Sequence, residues 1–201
     1  MSIQNRLNNI KKTCGNCQNC ALFERRNNVV FSNGKDSADI MIVGEAPGKN
    51  EDLTGEPFCG VAGQLFNDYL KKSGLNRDEF YITNILKCRP TDIERPNKDR
   101  VPKQEEINKC IHFLYEQIEI INPKLIVLAG GTALKTLTGK KSIQISKVRG
   151  QFFDLNINGK IYKATAIFHP SYLRQYATEV QKEQTLSDLG NIKRIYFSLQ
   201  G

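Results

Sequence analysis

Apolar positions along this chain fall into two alternating patterns. Four short runs, residues 39–43 (DIMIV), 80–85 (FYITNI), 124–129 (KLIVLA) and 164–168 (ATAIF), are almost continuously aliphatic, aromatic or β-branched. Runs of that length and composition predict strands buried on both faces. Between them the apolar residues recur at spacings of three, four and seven. Residues 62–73 carry Leu65, Phe66, Tyr69 and Leu70, and residues 104–121 carry Ile107, Ile111, Leu114, Ile118 and Ile121. Each set marks one buried helical face. Residues 132–137 and 186–199 predict two further helices. Strand and helix in alternation predict an α/β fold, with a central, mostly parallel, four-stranded sheet covered on both faces. Such sheets bind ligands beyond the carboxyl ends of their strands.

The residues that follow each predicted strand carry chemistry. The first strand runs into VGEAPG, which holds Glu45, Ala46, Pro47 and Gly48; the second ends in Thr83-Asn84 and continues to Lys87-Cys88-Arg89-Pro90. Gly130-Gly131-Thr132 ends the third, and His169-Pro170-Ser171 the fourth. Taken singly, each has an ordinary structural use: Gly and Pro make turns, Asn ends strands, and a Gly pair starts helices. Their shared place on one rim favours a site.

Composition narrows the partners. A chain of 201 residues with 39% hydrophobic content supports one core, hence a single domain over residues 1–201. Within it we distinguish a cysteine-bearing N-terminal segment, 1–30, and a basic loop, 89–103, with Arg89, Arg95, Lys98, Arg100 and Lys103. Lys and Arg number 29 against 21 Asp and Glu, and the formal charge of +8 favours a polyanion such as nucleic acid. The opening MSIQNRLNNIKK has no apolar run of the secretory kind, and no window approaches the roughly 18 apolar residues of a membrane span. A soluble, cytoplasmic protein without a membrane partner is expected.

Six cysteines in such a chain point to metal ligation or reactive thiols rather than disulfides. Cys14, Cys17 and Cys20 follow one another at C-x-x-C-x-x-C spacing, Cys88 follows the second strand, and Cys110 lies in the long helix. Four thiolates suit zinc or an iron–sulfur cluster. A zinc ribbon expects a second close pair, whereas Cys88 and Cys110 stand apart, which favours a cluster. Cys59 reads as a small core residue, a reading that stays open for Cys110.

The segments CALFERRNNVVF, VGEAPGKNEDLTGEPFCGVAGQLF, YITNILKCRP and FHPSYLR resemble family four uracil-DNA glycosylases, the iron–sulfur branch of that superfamily. The resemblance covers roughly residues 17–175 and implies a three-layer α/β/α sandwich. It implies an enzyme that flips uracil out of single- or double-stranded DNA and hydrolyses its N-glycosidic bond in base excision repair. It implies a structural 4Fe-4S cluster on Cys17, Cys20, Cys88 and Cys110, with Cys14 as the spare, and a monomer. The implied uracil pocket is Glu45, Ala46, Pro47, Gly48, Phe58, Asn84 and His169, with Glu45 and His169 catalytic. Phe58 stacks on the base, Asn84 reads its edge, and His169 donates to O2. Where the better-known family one enzymes carry Gln and a catalytic Asp, this chain has Glu45 and Ala46, so no carboxylate holds the usual base position. Glu51 is a further candidate, for water or for excluding a thymine methyl. Tyr172, Leu173 and Arg174 are candidates for wedge and phosphate contact, as are Arg89 and the basic loop for phosphates. That loop has no histidine, unlike the branch that traps uracil covalently. Two other readings stand beside this one: a non-catalytic DNA-binding protein on the same scaffold, and a zinc-stabilised hydrolase of free nucleosides.

Overall fold

Alternation along the strands sorts the core into two halves. In the strand Ile40–Gly44, Met41 and Val43 face one side while Ile40 and Ile42 face the other, and all four are buried. The computed structural model describes residues 1–92, 94–95 and 97–198; Leu199 of the last predicted helix and Ile93 and Pro96 of the basic loop lie outside the described residues.

In chain order the elements are α1 (Ile3–Gly15), β1 (Asn33–Gly34), β2 (Ile40–Gly44), α2 (Lys49–Thr54), α3 (Val61–Lys72), β3 (Tyr81–Asn84), α4 (Gln104–Ile121) and β4 (Leu125–Ala129). There follow α5 (Gly131–Thr138), α6 (Ile145–Val148), β5 (Phe152–Ile157), β6 (Lys160–Ile167), α7 (Pro170–Gln175) and α8 (Glu179–Ser198). The sheet order is β1-β3-β2-β4-β6-β5. Its centre, β3-β2-β4-β6, is parallel, as the four apolar runs predict.

The expected four-stranded sheet is corrected to six strands, because each edge carries an antiparallel strand. β5 pairs with β6 across Asn158-Gly159, whose φ values of 51° and 84° are those of a primed hairpin turn. That Asn-Gly pair is a hairpin signal in the sequence. β5 itself alternates exposed and buried residues, so it has no continuous apolar run.

Leu7, Leu22, Ile107, Leu114, Ile118 and Leu134 pack on the face that holds Met41 and Val43. Phe66, Leu70, Leu173, Leu189 and Ile192 pack on the face that holds Ile40 and Ile42. Helices α1, α4 and α5 thus cover one side and α3, α7 and α8 the other, which gives the three layers. α1 escapes sequence reading because its buried residues are only Leu7 and Cys14. α8 begins seven residues before the predicted start, at Glu179, since its first turns are polar and carry no apolar period.

The topology places the site. From β2 the chain crosses to β3 on one side, and from β3 it passes over to β4 on the other. The order therefore reverses at β2. A crevice opens at the carboxyl ends of strands where connections diverge in this way, and the loop after β2 is Glu45–Ala46–Pro47–Gly48.

Candidate active site

A cleft of about 720 Å³ opens at that point. It is lined by Glu45, Ala46, Pro47 and Gly48 after β2, Phe58 before α3, Asn84 at the end of β3, and His169 after β6. All seven expected pocket residues are therefore brought together. Gly44 makes the meeting possible: a Cβ there would lie 2.3 Å from Asn84 Oδ1 and 2.7 Å from Phe58 Cζ. Asn84 is only 2% exposed, yet among the described residues its carboxamide makes no hydrogen bond to protein. The carboxamide lines the cleft, so both its donor and its acceptor are available to a ligand edge.

Phe58 is held against its own preference. Its φ of 54° is unusual for a residue with a bulky side chain. Arg77 fixes it by donating to the carbonyls of Pro57 at 2.7 Å and Phe58 at 3.2 Å while anchored on Asn67 Oδ1 at 2.9 Å. The ring stands 5.8 Å from Phe66 and 6.0 Å from the His169 imidazole, centroid to centroid.

His169 caps the N-terminus of α7. Its Nδ1 accepts from the Ser171 backbone N–H at 3.2 Å and lies 2.6 Å from Ser171 Oγ. An Nδ1 that accepts leaves the proton on Nε2 of the neutral ring. Burial keeps the ring neutral, pushing its pKa down to about 4. Gly130, at φ 101°, clears the space behind it, since a Cβ there would lie 2.9 Å from His169 Cβ.

Glu51 does other work than expected. Its Oε1 accepts from the Gly60 N–H at 2.8 Å and its Oε2 from the Gly48 N–H at 3.2 Å. Both oxygens are committed to backbone, so Glu51 staples the Glu45 loop to the Phe58 loop. Glu51 also lines the cleft, and each oxygen keeps a second lone pair, so the staple stands beside its candidacy for water or methyl exclusion.

The candidates for DNA contact divide. Arg174 lines the cleft mouth together with Lys49 and Lys98, and among the described residues none of the three makes an ion pair. Arg89 is corrected: its side chain is 9% exposed and turned inward, with Nε 2.5 Å from Asp99 Oδ1. Leu173 is corrected too, because it is 1% exposed in the core beneath α7 and cannot reach a duplex. Tyr172 is partly buried, and its hydroxyl donates to Gln181 Oε1 at 3.1 Å. Sequence reasoning missed Asp99, Val61 and Tyr176, all of which line the cleft. The four-residue spacing of Phe168, Tyr172 and Tyr176 is the signal for the last.

A second, apolar-walled cavity is lined by Cys14, Cys17, Cys20, Cys88 and Cys110 with Leu22, Leu86 and Phe113. Cys14, set aside as the spare, sits 1% exposed among the others. Arg26 ties this nest together, donating to the Cys17 carbonyl at 2.8 Å and the Gly15 carbonyl at 3.0 Å, with Nη1 3.5 Å from Cys88 Sγ. Burial pushes the Cys14 thiol up to about 12 and the Cys110 thiol up to about 11. Lys87 links the two regions, because its buried Nζ lies 2.6 Å from Thr83 Oγ1 and Gln117 Oε1 and 2.7 Å from the Asn84 carbonyl. Among the described residues, no three Cys, His, Asp or Glu side chains are grouped to hold a single metal ion.

Residues 31–190 match the family model of the uracil DNA glycosylase superfamily. The chain belongs to that superfamily. Among curated proteins, it is 44% identical over 88% of both chains to a type-4 uracil-DNA glycosylase of Thermotoga maritima. It is 40% identical to the type-4 enzyme of Archaeoglobus fulgidus, over 82% of this chain and 81% of the relative. A third type-4 enzyme, from Saccharolobus solfataricus, is 41% identical over 77% and 71%. In this superfamily member the matched residues include every pocket residue named above, with Cys88 and Cys110; Cys14, Cys17 and Cys20 precede them.

Proposed function

We propose that the chain is a monofunctional uracil-DNA glycosylase, which extrudes uracil from DNA and hydrolyses its N-glycosidic bond to leave an abasic site. The observation that carries this reading is the Asn84 carboxamide, unpaired with protein and open to a cleft shared with Phe58, Glu45 and His169, in a chain of this superfamily. Uracil offers an N3–H donor beside an O4 acceptor, and cytosine reverses both, so one fixed amide accepts from and donates to uracil and mismatches cytosine. Phe58 stacks on the base face.

Departure of the base leaves its bonding electrons on uracil, with negative charge on O2, and positive charge on the sugar. The Nε2–H of His169 donates to O2 as that charge grows, and a neutral imidazole does so without giving up its proton. Glu45, beside the scissile bond, stabilises the sugar cation or orients the water whose oxygen joins C1′. Single-stranded uracil and mismatched uracil need the least work to extrude.

The five-thiol nest supports a structural 4Fe-4S cluster held by Cys17, Cys20, Cys88 and Cys110. Thiolate donors in an apolar shell suit such a cluster. The cluster's contribution is mechanical, since excision transfers no electron. It cross-links the N-terminal segment, the loop after β3 and α4, and thereby steadies Asn84.

The test is an alkaline-cleavage gel assay on a uracil-containing oligonucleotide. Cleavage is expected only at uracil, and Asn84→Asp, which replaces the amide donor by an acceptor, is expected to lose most of it. An inactive protein, or undiminished uracil excision by Asn84→Asp, would overturn the reading of the pocket.

A further inference from the structure

Removing a base from a stack leaves a hole, and proteins that unstack DNA fill it with an apolar or aromatic wedge. The residues expected to do so here are not free to: Leu173 is in the core and Tyr172 is pinned through its hydroxyl. Tyr176 is different. It is 72% exposed, lines the mouth of the cleft, and is the one exposed aromatic among the described residues that does so.

Its support is an aromatic ladder. Phe168, Tyr172 and Tyr176 lie four residues apart, just before, within and just after α7, with ring centroids separated by 5.3 Å and then 6.2 Å and ring planes 31° and 35° apart. Phe168 is buried, Tyr172 partly buried and Tyr176 exposed, so the ladder climbs from core to solvent. The Arg149 guanidinium covers the Phe168 ring at 5.7 Å. Backbone bonds from Tyr176 N and Ala177 N to the Tyr172 carbonyl, at 2.9 and 3.1 Å, close the end of the helix. The Tyr172 ring backs the exposed ring on one side, and any such restraint lowers the entropy cost of inserting it.

We propose that Tyr176 is the wedge that enters the duplex at the position vacated by the flipped uracil. The proposal rests on the glycosylase reading above and adds the group that holds the base out. Its neighbours suit that role, since Val61, 56% exposed, flanks the same mouth, while Arg174 and Lys98 are positioned for phosphates. α7 also couples the wedge to the chemistry. His169 begins the helix and Tyr176 ends it, seven residues or about 10 Å away at the rise of a helix, so seating the wedge fixes the Nε2 donor.

Two measurements test it. Tyr176→Ala is expected to slow excision from a U·G duplex by about 10-fold or more, the loss that one base–aromatic stack carries. Excision from the single strand, which has no hole to fill, should be unchanged, and Tyr176→Phe should restore the duplex rate. Equal losses on both substrates, or none on either, would overturn the proposal. The chain has no tryptophan, so Tyr176→Trp supplies a sole reporter. Its emission should be quenched on binding a duplex with a tetrahydrofuran abasic analogue opposite guanine, and unquenched emission while strand anisotropy shows binding would likewise overturn it. Failure of the unaltered protein to excise uracil from either substrate strikes the glycosylase reading instead.

Discussion

His169, half-buried in the cleft wall, is neutral because its surroundings desolvate it, and the position of its proton is set by Ser171 two residues on. In the proposed mechanism its hydrogen bond to uracil O2 strengthens only as the glycosidic bond breaks. His169→Ala should therefore lower the single-turnover rate by about 10²–10³-fold, the cost of losing one such donor. Duplex affinity should hold, because phosphate contacts supply most of it; lost binding with an unchanged rate for bound substrate would make His169 a DNA contact. The same residue marks the acid limb of stability. Its pKa falls from 6.5 to about 4 on folding, so between those values the unfolded chain binds more protons. This stability is present in full above 6.5 and is lost as pH falls through about 4. Urea midpoints of the protein and of His169→Asn should differ by an amount that changes across that window and is constant above it; a difference independent of pH would contradict the assignment. Glu45, Asn84 and His169 are all legible in the sequence, because polar residues that punctuate strand ends stand out. The Glu51 staple is not, since nothing in NED says which backbone amides its carboxylate will meet.

Elements carry the thiols from three directions. Cys14 belongs to α1, Cys88 follows β3 and Cys110 lies in α4. Purification without oxygen should give a brown protein with broad absorption near roughly 400 nm, as thiolate-bound iron–sulfur centres show. Cys110→Ser or Cys88→Ser should bleach it, and Cys14→Ala should not. Stoichiometric zinc without iron, or bleaching by Cys14→Ala, would reject the ligand set. The long helix is legible to the residue because its buried positions keep a strict period over 18 residues. α1 and β5 are not, since each buries too few side chains to print a pattern; they are held by packing on α4 and by pairing with β6.

At the scale of the molecule the charge of +8 matters through where it is unpaired. Arg89, Arg100 and Arg149 are spent on Asp99, Glu106 and Asp188, leaving Lys49, Lys98 and Arg174 at the cleft. Duplex affinity should fall linearly with salt on logarithmic axes, and Arg174→Ala should lessen the slope by about 1. Lys160→Ala, at the start of β6 and so on the opposite rim, should leave it unchanged. Equal slopes for both variants would move the DNA path away from the cleft.

By itself the sequence determined the parallel sheet, its two helical faces and the rim on which the polar residues gather, because period and strand-end chemistry are local properties. Tertiary structure decided which cations stay free, which carboxylate is bound by backbone, and which aromatic beyond the His-Pro turn reaches solvent. Those outcomes depend on pairs far apart in the chain, Arg89 with Asp99 across a loop and Arg149 with Asp188 across 39 residues, and on the depth of α7 in the fold. A sequence pattern holds no such distances, and the sheet with its packed helices does.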